Sequence, residues 1–158
     1  MAPSLGTGWE RRVAVIGAGP AGLAATRYLV SQGFDPVVFE RTAAIGGQWS
    51  GHPTMSGVWP AMRTNTSRVL TAFSDAPHLD GLATYPTNQE IHAYLRRYAE
   101  PFMDRIRFGA PVEQLRMGTR GWMVRVDGRE EEFARVAVAS GRFHAPVIRT
   151  RCRMRRRA

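Results

Sequence analysis

Gly17, Gly19 and Gly22 stand as G-x-G-x-x-G directly after the apolar run Val13-Ala-Val-Ile16. That spacing serves a tight turn, a close approach of backbone to a diphosphate, and close packing of a helix on a strand. The chemistry is anion binding without a charged side chain, because a helix N-terminus presents unpaired N–H groups and the positive end of its dipole. On its own the glycine pattern fits an ordinary strand-to-helix turn equally well. Glu40 narrows the reading, since it closes the short apolar stretch Pro36-Val-Val-Phe39, about twenty residues after the glycines, where an acid holds a ribose hydroxyl pair. Further on, Gly46 and Gly47 let the backbone pass close to a flat ring system, with Gln48 and Trp49 as polar and stacking contacts. Trp49 and Trp59 also read as loop anchors packed on the core. In the polar cluster Arg63-Thr-Asn-Thr-Ser67, Asn65 reads as a turn residue and Thr66 or Ser67 as a helix N-cap.

These residues need elements to carry them. Val13 to Ile16 predict a strand buried on both faces. Pro20 suits a first helical turn, and Leu23, Ala24, Arg27, Tyr28, Leu29 and Val30 predict a helix that ends at Gly33. Pro36 to Phe39 are a second buried strand, and 41–60 is a long loop, a length more often functional than idle. Val69 to Phe73 continue as a short helix. Thr87 and Glu90 form an S/T-x-x-E capping box, ahead of Ile91, Tyr94, Leu95, Tyr98 and Phe102 at helical spacing, a stripe taken as core. Ile106 to Phe108 and Val112 to Met117 are strand candidates. Trp122, Val124 and Val126 alternate with Met123 and Arg125 up to Asp127-Gly128, a strong hairpin signal, and Glu130 to Glu132 read as a solvated acidic edge. Arg135-Val-Ala-Val-Ala-Ser-Gly141 repeats the texture of the first strand, which predicts a strand buried on both faces and returning beside the nucleotide.

Composition sets the bounds. The 158 residues are 44% hydrophobic, enough for a core, and carry a formal charge of +9. Six of the 22 basic residues fall in 149–158, leaving 16 basic and 13 acidic residues in the rest. A basic tail without interleaved aromatics or a reading module argues against nucleic acid as a partner. All the basic residues are arginine, which removes lysine as a phosphate ligand or base, and the single Cys152 excludes an intramolecular disulfide and a C-x-x-C redox pair. His52, His78, His92 and His144 lack nucleophile or ligand spacing. There is no signal-peptide pattern and no run of membrane-span length, so a cytoplasmic protein without a membrane partner is expected.

Taken together, the motifs resemble the flavin-containing monooxygenases and the related Baeyer–Villiger and N-hydroxylating flavoenzymes. The resemblance runs from Arg12 to Ile148. Gly17-Ala18-Gly19-Pro20-Ala21-Gly22 is similar to that family's FAD glycine motif, Phe39-Glu40-Arg41 to its ribose-binding acid, and Ile45-Gly-Gly47-Gln48-Trp49 to the segment beside the flavin. Arg63-Thr64-Asn65-Thr66 resembles the segment whose asparagine touches flavin and nicotinamide; Tyr85-Pro-Thr-x-x-Glu90-Ile and Ala139-Ser140-Gly141-x-Phe143-x-x-Pro146 are also family-like. The resemblance implies an α/β, Rossmann-like FAD-binding fold, a parallel sheet with a βαβ unit plus a β-meander or hairpin, incomplete relative to the family. It places this domain at 1–148 and an unstructured arginine-rich tail at 149–158.

The activity implied is NADPH-dependent, flavin-dependent oxygenation of a nucleophilic nitrogen or sulfur centre, or a Baeyer–Villiger reaction. FAD is the cofactor, and O2 and a small-molecule substrate are the partners. Asn65 is the residue implied nearest the chemistry, and Val112 is placed near the adenine. The family's second glycine motif for NADPH, its F-x-G-x-x-x-H fingerprint and the segment that completes its FAD domain are not found in these residues. The chain therefore reads as truncated, with a shifted reading frame after Ile148 as one origin of the tail and a partner chain as one source of the missing segments. Weak or absent flavin binding, no turnover alone, an exposed sheet edge and marginal stability follow as expectations. A non-catalytic nucleotide-binding module and another FAD-dependent NAD(P) oxidoreductase are the competing readings.

Overall fold

The computed structural model describes residues 8–52 and 57–141. Among the described residues, two sheets and three α-helices form three layers. The central layer is a four-stranded parallel sheet of β1 (Arg12–Ile16), β2 (Asp35–Phe39), β3 (Ile106–Arg107) and β7 (Arg135–Val138), in the order β3-β2-β1-β7. One face carries α1 (Pro20–Ser31) and α3 (Asn88–Ala99); the other carries an antiparallel meander of β4 (Val112–Met117), β5 (Trp122–Val126) and β6 (Arg129–Phe133). A short α2 (Arg68–Thr71) lies in the loop region before α3.

Strand alternation decides which residue faces which layer. Val13 and Val15 of β1 and Val38 of β2 join Leu23 of α1 and Ile91, Tyr94, Leu95 and Tyr98 of α3 in the helix-side core. Ala14 and Phe39, one position off, join Ala110, Val124 and Phe133 in the core under the meander. Phe39 and Phe133 meet edge to face with centroids 5.8 Å apart, a favourable aromatic geometry.

The local signals place most elements as expected. Gly33 ends the first helix at φ +79°. Thr87 and Glu90 form both halves of the capping box: Glu90 N–H donates to Thr87 Oγ1 (3.2 Å) and Thr87 N–H to Glu90 Oε2 (2.7 Å). Asp127 (φ +48°) and Gly128 (φ +70°) make the β5–β6 turn, as a two-residue hairpin with both central residues left-handed requires. Tyr94 pins the 73–76 loop on α3, its hydroxyl donating to Ala76 O and accepting from Phe73 N–H, each at 2.7 Å.

Three expectations change. β7 takes its place parallel to β1, but among the described residues it is an edge of the sheet and is not buried on both faces: Val138 is 65% exposed. Glu131 and Glu132 are half-buried, not a solvated edge. Glu131 bonds both Arg12 (3.5 Å) and Arg107, and the Arg12 guanidinium lies 4.7 Å from the Phe133 ring centre, so these charges tie the meander to the parallel sheet. Trp59 is 59% exposed and is no core anchor, whereas Trp49 packs against the helix-side core.

Candidate functional site

The site is built at the C-terminal ends of β1, β2 and β7. The sheet ladder runs straight into the glycine turn: Gly17 N–H donates to Phe39 O and Ala139 N–H to Ile16 O, both at 2.8 Å. A Cβ on Gly17, which holds φ +101°, would stand 2.6 Å from Ala139 O; a Cβ on Gly22 would stand 1.9 Å from Gly17 O. Both distances are below any real contact, so the turn closes this tightly only with glycine. Gly19 is the N-cap of α1, with no side-chain cap and no acid in the first turn. The first-turn N–H groups and the positive dipole end are therefore open to an anion.

Two further segments converge there. Gly46 N–H donates to Ala18 O (2.8 Å), and the Gly19 Cα lies 3.1 Å from where a Gly47 Cβ would be. On the other side the Glu40 carboxylate, 6% exposed, accepts from Ala18 N–H at Oε2 (2.8 Å) and from Thr42 N–H (2.9 Å) and Thr42 Oγ1 (2.8 Å) at Oε1. A carboxylate offers about four acceptor positions. Three are engaged within the protein, which leaves Oε2 room for one more donor. The Glu40 backbone is fixed by the connection after β3, with Glu40 N–H on Arg107 O and Ala110 N–H on Glu40 O, each at 2.9 Å.

A glycine cradle under an uncapped helix, flanked by a buried carboxylate with one free position, fits a dinucleotide with its diphosphate on the turn and a ribose beside Glu40. The Flavin-binding monooxygenase-like family model matches residues 10–144. The chain belongs to this family. It is 31% identical over 181 residues to Flavin-containing monooxygenase FMO GS-OX-like 5 of Arabidopsis thaliana, covering 94% of this chain and 40% of that one. Among solved structures it is similar to S-allyl-L-cysteine S-oxygenase from Allium sativum (TM-score 0.77, 29% identity, 86% of this chain and 37% of the other). An oxidized steroid monooxygenase bound to NADP is also similar (TM-score 0.72, 32% identity, 82% and 26%). The chain thus spans well under half the length of these relatives. Its α/β architecture, a parallel sheet with an antiparallel three-stranded sheet, is the corresponding portion of the family's FAD-binding fold.

In this monooxygenase-family chain the structure brings together Gly17, Ala18, Gly19, Gly22, Glu40, Gly47 and Ala139, with Pro20 and Ala21 opening α1 and Ser140 beside Gly17. Ser140, Gly141 and Arg41 are exposed, as is Gln48, while Trp49 is half-buried on the 3₁₀ turn Gly47–Ser50. Thr64 is buried, its N–H on Pro86 O (2.9 Å) and its hydroxyl donating to Thr66 O (2.7 Å). Asn65 and Thr66 are exposed, and the hydrogen bonds of this segment run toward α2 and the start of α3. Val112 opens β4, half-buried against the meander-side core that includes Ala110. Phe143, His144, Pro146, Cys152 and the tail 149–158 lie outside the described residues. Sequence reasoning missed Thr42, whose N–H and hydroxyl orient Glu40; an Asp/Glu-x-Thr spacing after a strand is the only signal that marks it.

A cavity of about 430 Å³ lies apart from the glycine turn, between loop 78–82 and α3, lined by His78, Leu82, Glu90, Tyr94 and Arg97 among others. The His78 ring lies tilted against Tyr94 with centroids 4.1 Å apart, and among the described residues neither ring nitrogen has a hydrogen-bond partner. Burial first, then the Arg97 and Arg68 charges, hold its pKa below the ordinary 6.5, with Glu90 opposing. Between the lowered value and 6.5 the unfolded chain binds more protons, so stability is fully present above 6.5 and is lost as pH falls through the folded value. Urea midpoints compared at about pH 7.5 and about pH 5 are expected to drop on acidification, and the drop is expected to shrink in His78→Leu. An equal drop in both proteins would assign the acid sensitivity elsewhere.

Proposed function

We propose that this chain forms the FAD-binding part of an NADPH-using flavin monooxygenase that oxygenates a nucleophilic nitrogen or sulfur centre or performs a Baeyer–Villiger reaction. The observation that carries the reading is the closure of the Gly17–Gly22 turn against Ala139, with Glu40 buried beside it. FAD, when bound, supplies the redox and oxygen chemistry. Within the turn, the N–H groups of Gly19, Ala21 and Gly22 hold its diphosphate, while Gly17 and Ala18, whose N–H groups go to Phe39 O and Glu40 Oε2, and Pro20, which has no N–H, shape the turn around it. Glu40 accepts from a ribose hydroxyl, with Arg41 at the rim and Val112 toward the adenine. Gly47, Gln48 and Trp49, together with Thr64, Asn65 and Thr66, border the ring system, and Ala139, Ser140 and Gly141 close the floor. The Asn65 amide, both donor and acceptor, orients the ring next to the nicotinamide.

The expected result is that FAD bound to the chain is displaced by ADP but not by FMN, because the hold is on the adenosine diphosphate half. Displacement by FMN alone would refute the placement. A second reading is a non-catalytic nucleotide-binding module that works only with a partner chain. Anaerobic mixing with NADPH separates the two: bleaching of bound flavin marks an enzyme, and its absence marks the module.

A further inference from the structure

The segment that leans on the glycine turn is intrinsically soft. Gly46 and Gly47 both sit at positive φ (+108° and +55°), and Gly51 beyond the 3₁₀ turn is at +72°. Such a backbone keeps one position only if something outside it fixes it. Two hydrogen bonds hold its entry. Gly46 N–H donates to Ala18 O at 2.8 Å, inside the glycine turn, and Ile45 O is bonded to His92 Nε2 at 3.1 Å. A carbonyl can only accept, so Nε2 carries the proton. The imidazole also fills the space beside the loop, with its Cδ2 3.0 Å from where a Gly46 Cβ would be.

His92 stands in the first half of α3, five residues after the cap Thr87 and between the buried Ile91 and the Tyr94 that anchors the 73–76 loop. It is half-buried and rides on α3, whose Ile91, Tyr94, Leu95 and Tyr98 are buried in the helix-side core. We propose that His92 is the positioning residue that clamps Ile45–Gly47 against the glycine turn and so sets the outer wall of the dinucleotide site. The wall's role in binding rests on the flavin reading above; the clamp itself does not. Two features outside the glycine motif favour glycine at Gly46, its φ of +108° and the room it leaves for the imidazole.

The test uses the full 158-residue chain with His92→Phe, which keeps a ring and removes the donor, and His92→Gln, which keeps a donor. In ligand-free protein, amide exchange at Gly46 is expected to quicken roughly three- to tenfold in His92→Phe, the worth of one hydrogen bond, while the Tyr94 to Tyr98 amides hold their rates. FAD affinity is expected to fall by a similar factor, and His92→Gln to recover most of both. Unchanged Gly46 exchange, or equal quickening along α3, overturns the clamp. Quickened exchange with unchanged FAD affinity overturns its part in binding, and a loss that Gln does not recover overturns the hydrogen-bond assignment. Should wild type bind no FAD, the flavin reading fails, and Gly46 exchange alone then decides the clamp.

Discussion

Gly22→Ala is expected to destabilise the chain by about 3 kcal/mol, the upper end for overpacking, and to remove FAD binding. The sign is not obvious from propensity, since alanine in a helix is worth about 1 kcal/mol over glycine and Gly22 has no left-handed conformation to protect. The close approach decides it. The added methyl would lie 1.9 Å from Gly17 O and 3.0 Å from Gly17 C, so the clash is with backbone and no side chain can rotate away. Relief requires α1 to lift off β1, which also moves the N–H groups that would meet the diphosphate. Gly57→Ala is the control: among the described residues nothing lies within 4 Å of its Cβ position, and a change within about 0.5 kcal/mol is expected there. Urea unfolding and flavin fluorescence measure the two effects, and a Gly22→Ala protein as stable as wild type would show that the turn is looser than described.

Glu40→Ala is expected to cost about 2 to 4 kcal/mol, because it strands buried donors and does not merely delete a contact. Ala18 is fully buried and its N–H has Glu40 Oε2 as partner; removing the carboxylate leaves that group unpaired. Thr42 loses its N–H bond at the same time, whereas its single hydroxyl proton, which has Glu40 Oε1 and Ala44 O as alternative acceptors at 2.8 Å, turns to Ala44 O. Glu40→Gln should fall between wild type and alanine. Its one carbonyl oxygen can serve Ala18 or Thr42, and its NH2 then faces the other donor. FAD affinity should drop in both variants. Equal stability of Gln and wild type would mean that one of the two backbone bonds is dispensable.

The parts of this architecture that were legible in the sequence are those encoded by neighbours. The strand-turn-helix around Gly17–Gly22, the Thr87–Glu90 box, the tyrosine stripe of α3 and the Asp127–Gly128 hairpin each depend on residues within a turn or two of one another. What was not legible depends on which strand lies next to which. The texture of Arg135 to Val138 matches a buried strand, yet strand order makes β7 an edge and leaves Val138 exposed. Glu131 looks like a solvated acid until the meander brings it to Arg12, more than a hundred residues earlier. The candidate site divides the same way. The glycines and Glu40 announce themselves by spacing, whereas Thr42 as an orienting group and His92 beside Gly46 emerge only when β2, α3 and the loop are placed. The exposed β7 edge is also the feature behind the expectation of modest stability.

Whether the turn after β1 is a dinucleotide site is tested most directly by a titration of FAD into the full chain followed by amide NMR shifts. A saturable one-to-one response is expected, with its largest shifts at Ala18, Gly19, Ala21 and Gly22, joined by Gly46 and Gly47. No response, or shifts gathered around His78 and Arg97 at the separate cavity, would contradict it.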